Sequence, residues 1–483
     1  MKISFVLILN FLIISASLFA SENKIPSHIE RLITYGEFTV AQQQIRLELA
    51  LNPNMPAAQR LALQFEIERL ERIKKDFTAN QVEILTAIQA YIPEATLADL
   101  EKWEAEKSLE CRMIDGEKKY FKWAANNLFR INQQAKARKI AIEKKKSTTA
   151  LQVPLFKREH HLAEIIQSAG SAQSKYLNPQ RFRITYLLTV NPDVVLPGKV
   201  IRCWLPFPRE KAGYQINIKL IATEPDQYIL ADNQNFLQRT IYLEKVTQEN
   251  QPTQFKIIFE YTGYARYKKI EPLNVLPGKN DPNLAPYLSE RPPHIVFTTE
   301  LRELTQKIVG PETNPYLKAK KIFEWISKNI PWASAREYST IRNISSYCYN
   351  NLHGDCGIQT ILFMTLARIA GIPTKWQSGW TTEPGSEGMH DWGEMYLEPY
   401  GWVPVDASYG LRQSQEQTIR WFYLGNLDRY RLVVNDDYSQ YLYPAKIFPR
   451  SETVDFQRGE VEWEGGNLYF DLWEWQFEVE YLE

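Results

Sequence analysis

Cysteine is scarce in this chain, four in 483 residues. That excludes a fold stapled by disulfides and leaves each thiol to be read singly, as a packed side chain, a bridge or a nucleophile. Neither sign of charge is in excess, since Lys+Arg and Asp+Glu both number 57. Nothing in the bulk charge therefore points to nucleic acid or to a strongly charged partner. After the N-terminus no apolar run is long enough to span a membrane, and no repeat returns at a fixed period. What is present, 44% hydrophobic and 24% charged residues, is the composition of a folded multidomain protein acting on a small molecule or a protein.

Met1-Lys2, an apolar run from Ile3 to Phe19, and Ala20-Ser21-Glu22 read as the charged start, apolar core and small-residue exit of a secretory signal. The run is shorter than the about 20 residues of a spanning helix. Residues 1–20 are thus expected to be a signal peptide, and the protein to be exported, periplasmic or secreted, with no transmembrane span left after cleavage. Residues 24–150 are expected to form a helical domain, with Leu63, Ile67, Leu70 and Phe77 at helical spacing and Thr78 with Gln81 as a capping box. Its basic end, Lys136 to Lys146 with Lys157 and Arg158 beyond, reads as a solvated helix end.

From 177 to 272 the period changes to two. Phe182, Ile184, Tyr186 and Leu188 alternate with polar residues, as do Phe255, Ile257 and Phe259, between Pro/Gly/Asn turns. This predicts an antiparallel β-sandwich. Residues 296–412 mix helix and strand patterns, and Asn314-Pro315 reads as an N-cap with proline at the first helical position. Residues 413–483 read as a C-terminal aromatic and acidic β region. In its last 33 residues, 451–483, ten acids face the single base Arg458, which suggests a solvated sheet face. The expected fold class is a multidomain α+β protein.

The chemistry concentrates in His353-Gly-Asp-Cys356-Gly357 and the helix that follows. Ile358, Ile361, Leu362, Thr365, Leu366 and Ile369 form a buried stripe that ends at Gly371 and Pro373. Cys356 then lies in the first turn of a buried helix, where unpaired N–H groups and the helix dipole lower a thiol's pKa. A nucleophile of this kind needs a base and an orienting group for the base. Strands are expected at Thr374–Thr382, His390–Glu398 and Trp402–Ser408. If Glu398-Pro399-Tyr400 is a three-residue loop, Leu397 pairs with Gly401 and Asp406 falls diagonal to His390 on one sheet face; a two-residue turn puts Asp406 on the other face.

Gly-Asp-Cys356-Gly before a helix ending in Arg-Ile-Ala-Gly-Ile-Pro, then His390-Asp-Trp392-Gly-Glu394, then Gly401-Trp402-Val-Pro-Val-Asp406, resembles the transglutaminase-like superfamily. The resemblance covers about 115 residues, from the helix after Asn314 to near Arg412. It implies a papain-like triad with Cys356 as nucleophile, His390 as base and Asp406 as the orienting carboxylate. It also implies an upstream aromatic residue near the oxyanion, for which Trp332 is the candidate, with Trp392 as a second cleft candidate. Two features depart from the animal transglutaminases: Gly357 stands where tryptophan usually follows the nucleophile, and no cluster of calcium-ligand acids is recognisable.

The implied activity is acyl transfer or hydrolysis at an amide bond of a peptide, protein or cell-wall peptide, through a Cys356 thioester, with no metal or organic cofactor required. A plain cysteine peptidase is the alternative within enzymology. A catalytically silent surface-binding or assembly module is the alternative outside it. Cys348, His353 and Cys356 lack the paired spacing of a structural zinc site, and Cys111 and Cys203 read as packed thiols, with a bridge between them left open by the exported setting.

Overall fold

Leu, Ala, Glu and Arg at helical spacing do build helices along most of the first 146 residues. The computed structural model describes residues 25–146, 156–171, 176–278 and 281–483, so the signal segment at 1–20 lies outside the described residues. Two compact units emerge, Met1–Ala150 with Ser339–Ile341 and Leu151–Tyr338 with Arg342–Glu483.

In the first unit the helices are α1 (Ser27–Tyr35), α2 (Phe38–Leu51), α3 (Ala57–Asp76), α4 (Gln81–Gln89), α5 (Leu97–Ala105), α6 (Ala124–Ile131) and α7 (Gln133–Lys146). Leu63, Leu70 and Phe77 lie in their common core. The cap of α4 is not Thr78 with Gln81. It is Asn80 with Glu83, each side chain bonded to the other's backbone N–H. The reason is local: Ala79 is held in extended form by a bridge to Tyr120, whose N–H donates to the Ala79 carbonyl, so the helix cannot start earlier. The partner strand belongs to a hairpin absent from the helical expectation, β1 (Cys111–Ile114) and β2 (Glu117–Tyr120). Its turn is Asp115-Gly116, both at positive φ, the residue pair that a two-residue hairpin turn favours.

Among its described residues the second unit opens with α8 (Arg158–Ser171) and contains three sheets. Strands β3 (Leu177–Val190), β4 (Val200–Pro206), β5 (Gln215–Glu224), β6 (Tyr228–Leu230), β7 (Thr240–Val246) and β8 (Thr253–Ala265) supply most of two of them. Their alternation buries Phe182, Ile184, Tyr186 and Leu188 from β3 and Phe255, Ile257 and Phe259 from β8 in one core with Ile201, Cys203 and Leu205 of β4. The third sheet and its helices hold the predicted core: α9 (Thr299–Val309), α10 (Pro315–Asn329), α11 (Ile344–Asn351), α12 (Cys356–Ile369), β9 (Thr374–Thr381), β10 (Gly388–Leu397), β11 (Gly401–Val405) and β12 (Arg431–Asn435), in the order β11-β10-β9-β12. Asn314 caps α10 by accepting the Leu317 N–H, with Pro315 in the first turn.

Residues 413–483 do not stand apart as a C-terminal β region. Strand β12 joins the third sheet, β13 (Glu460–Trp463) pairs with β4, and β15 (Trp473–Leu482) pairs with β3 along ten residues. The two sandwich sheets thereby run β14-β13-β4-β7-β6, with β14 at Gly466–Leu468, and β15-β3-β8-β5. Nor is the acidic stretch all solvated. Glu452, Glu460 and Glu462 are buried and bonded to Arg458, Arg450 and Lys446, as buried carboxylates require. Arg158 also departs from the solvated reading, because it forms an ion pair with buried Glu383 on the loop before β10.

Glu394 of β10 ties the third sheet to the sandwich. It is 1% exposed and meets Lys375 at 2.9 Å, Arg266 at 3.1 Å, Lys211 at 3.3 Å and the Tyr214 hydroxyl. Those cations hold its carboxyl well below the ordinary range although burial opposes its charge. Glu394→Ala strands them, and the expected cost is about 3–5 kcal/mol, read as a lowered midpoint in urea unfolding.

Candidate active site

The β10–β11 connection decides whether a carboxylate reaches the predicted base. Leu397 pairs with Gly401 and Gly393 with Val405, the register of the three-residue loop, and Asp406 follows opposite Trp392. His390 Nε2 lies 2.7 Å from Asp406 Oδ2. With Nε2 committed, Nδ1 is the ring nitrogen left for proton exchange with a nucleophile. The imidazole packs between Trp392, at 5.8 Å, and Tyr409, at 4.9 Å.

Asp406 is fully buried, and its charge is matched from a distant segment. Arg431 of β12 donates to Oδ2 from Nε and Nη2 at 3.3 and 3.1 Å, while Ser408 Oγ and the Tyr409 N–H donate to Oδ1. Burial opposes the charge, but His390 and Arg431 together hold this carboxyl well below the ordinary range. Asp428 takes the other end of the same guanidinium at 3.2 Å.

Cys356 opens α12 as predicted, and Asp355 caps that helix by accepting the Ile358 N–H. The residue is half-buried and its thiol is free, like those of Cys111, Cys203 and Cys348. Its hydrogen bond runs to Asp391 Oδ2, at 3.3 Å, and not to His390. The expected low pKa is reversed here: burial, then the Asp391 and Asp355 carboxylates, push the thiol well above its ordinary value. Burial first, and then the nearby carboxylates, outweigh the partial positive charge of a helix start.

Asp391 is itself 1% exposed. Tyr338 OH donates to its Oδ2 at 3.4 Å and to Asp355 Oδ1 at 2.7 Å, and Gln457 Nε2 donates to its Oδ1 at 2.7 Å and to the His390 carbonyl at 2.8 Å. Burial, then Asp455 and Asp355, push Asp391 well above the usual carboxylate value, and burial pushes Asp355 up to about 6.

Of the other candidates, Trp332 is 44% exposed and its backbone bridges Gly354, two residues before Cys356. Trp392 is fully buried and donates its N–H to Gln377, so it packs under His390 and cannot serve as a cleft wall or an oxyanion donor. Cys348 and His353 are buried, and among the described residues no group of three or more His, Cys, Asp or Glu is placed to hold a metal ion. No described helix is long and apolar enough to cross a membrane. Asp391, Tyr338, Gln457 and Arg431 were not foreseen. Asp391 had one signal, an acid next to the predicted base at a strand start. The other three arrive from distant segments with no local motif.

Residues 302–407 match the family described as the transglutaminase-like superfamily. A protein of uncharacterised function from Haemophilus influenzae is 32% identical over 139 residues. That match covers 24% of this chain and 38% of the relative, so the chain spans well under half of the relative's length. Among solved structures, a proposed cysteine protease from Cytophaga hutchinsonii is 16% identical, with a TM-score of 0.43 over 63% of this chain and 92% of that one. The periplasmic domain of TgpA from Pseudomonas aeruginosa is 13% identical, with a TM-score of 0.25 over 54% of this chain and 95% of that one.

Gly357 makes room for the Asp391 contact. A Cβ there would collide with the Tyr338 hydroxyl and come within 2.7 Å of Asp391 Oδ2. Gly357→Ala is therefore expected to cost about 1–3 kcal/mol by overpacking, seen as a lower thermal midpoint.

Proposed function

With residues 302–407 a transglutaminase-like domain, we propose that this protein is a cysteine-dependent enzyme that transfers or hydrolyses acyl groups at an amide bond. Cys356 is its nucleophile, His390 its base and acid, and Asp406 its orienting group. The observation that supports the reading best is the buried His390 Nε2–Asp406 Oδ2 contact of 2.7 Å, backed by Arg431. It fixes the imidazole with Nδ1 available, and the negative charge of Asp406 favours the imidazolium that forms when the thiol proton is taken.

In this mechanism His390 Nδ1 takes the proton from Cys356 Sγ, and the sulfur attacks the amide carbonyl. The oxyanion is met by the Cys356 backbone N–H, with the Trp332 indole as a second donor. His390 then passes its proton to the departing nitrogen, leaving a thioester and ammonia or an amine. Water completes hydrolysis and a second amine completes transfer, each returning a proton to Cys356 by way of His390. Substrates are peptides, proteins or cell-wall peptides, met in an exported location after removal of the signal at residues 1–20.

One observation favours a second reading, a silent surface-binding or assembly module: the resting thiol is pushed up and bonded to a carboxylate. Turnover separates the two. The full chain is incubated with glutamine- and amide-bearing peptides, with and without a primary amine, while ammonia, new amino termini and amine incorporation are followed by mass spectrometry. The expected result is one of these products, lost by about a thousandfold or more in Cys356→Ala and in Asp406→Asn. No product from the parent, with peptide binding unchanged in Cys356→Ala, would establish the module instead.

A further inference from the structure

The two carboxylates nearest the proposed catalytic pair are held in opposite ways. Asp406 takes a guanidinium, Arg431 at 3.1 Å, and carries its charge at low cost. Asp391 takes three neutral donors, the Cys356 thiol at 3.3 Å, the Tyr338 hydroxyl at 3.4 Å and the Gln457 amide at 2.7 Å. The charged and titratable groups facing it come from every element around it. Asp355 and Cys356 stand at the start of α12, Tyr338 follows Glu337, and Asp455 lies on the 450–459 segment with Glu452 and Arg458. Arg458 is the cation of that set, and it is spent on Glu337 at 2.7 Å and Glu452 at 2.8 Å. When two acids of one site sit in environments that push them apart, they take different proton roles.

We propose that Asp391 is a further catalytic residue, one that keeps the proton on Cys356 in the resting protein and yields the thiolate only when its own carboxylate is neutralised. The geometry makes this contact work in both directions. As a carboxylate, Oδ2 accepts the S–H hydrogen bond, and its charge opposes a second negative charge on the sulfur 3.3 Å away. Once Oδ2 takes a proton from solvent, the same oxygen becomes an O–H donor, and the identical contact favours S⁻ while the thiol proton rests on His390 Nδ1. No net charge is created at the sulfur–carboxyl pair in that exchange, because one anion replaces another. Gln457 fixes the arrangement by holding Asp391 Oδ1 and the His390 carbonyl with one nitrogen, and Gly357 leaves the space that the contact needs.

The inference rests on reading Cys356 as the nucleophile, but its test needs no substrate. The rate of iodoacetamide labelling at Cys356 is measured by peptide mass spectrometry from pH 4 to 10 on the full chain, for the parent, Asp391→Asn, Tyr338→Phe and Asp391→Asn combined with His390→Ala. In the parent, labelling at pH 7 is expected to be no faster than that of a free thiol. Asp391→Asn removes the opposing charge and keeps the shape; its labelling at pH 7 is expected to rise about tenfold or more, with a midpoint at least about one pH unit lower. Tyr338→Phe removes a donor that favours the Asp391 carboxylate, so it raises labelling near pH 7 by a smaller factor. His390→Ala is expected to slow labelling in the Asp391→Asn background, where the imidazolium is the remaining support of the thiolate.

A folded Asp391→Asn protein whose profile superimposes on the parent's, or a parent that already labels fast at pH 7, overturns the proposal. If Asp391→Asn does not fold, unchanged or slower labelling of Tyr338→Phe overturns it. Faster labelling in the variants with no amide turnover in any of them supports the role of Asp391 and counts against the enzymatic reading alone.

Discussion

A carboxylate that is fully buried must have its charge answered, and around Asp406 that requirement organises the third sheet. His390 of β10, Arg431 of β12 and the Ser408–Tyr409 turn all converge on its two oxygens. The guanidinium passes on to Asp428 and lies 4.0 Å from the Tyr409 ring, and that ring in turn packs on His390. Remove the negative charge and the imidazole loses its orientation, while Arg431 is left with half its compensation. The geometry of the imidazole is therefore not a local property of β10. It depends on three segments, β10, β12 and the 406–409 turn, meeting at one anion.

Much of this was legible in the chain. Helix α12 was written in its apolar stripe and in Gly371-Ile-Pro373, and the strand sequence β9, β10, β11 in alternation and turn residues. The Leu397–Gly401 register is one of the two that the sequence left open, the one that a three-residue loop gives. These are short-range facts, set by side-chain period and turn chemistry, and one sequence contains them.

The rest is long-range or electrostatic. That β13 and β15 complete the sandwich has no signature in their composition, since a strand looks the same whichever sheet it joins. The thiol expected to be acidic is the opposite, because the rule for helix starts counts the dipole and neither the burial of the sulfur nor the carboxylates packed against it. Asp391 could be noticed beside His390 but not placed against Cys356, for that contact depends on Gly357 lacking a Cβ and on a glutamine 66 residues away. The acids of the C-terminal stretch read as solvent-facing because charge is normally exposed, whereas here Lys446, Arg450 and Arg458 accompany them inward.

The order of these residues along the chain also has a temporal side. A ribosome delivers Cys356, Gly357, His390 and Asp406 first, whereas Arg431 and Gln457, which neutralise and steady them, emerge later, and β15, at the sheet edge beside β3, follows them. Until then the carboxylate at 406 has no guanidinium and the thiol's carboxyl partner has no amide to hold it. A nascent chain thus carries these side chains in an unassembled form, and their mutual contacts are complete only after residue 457 has been made.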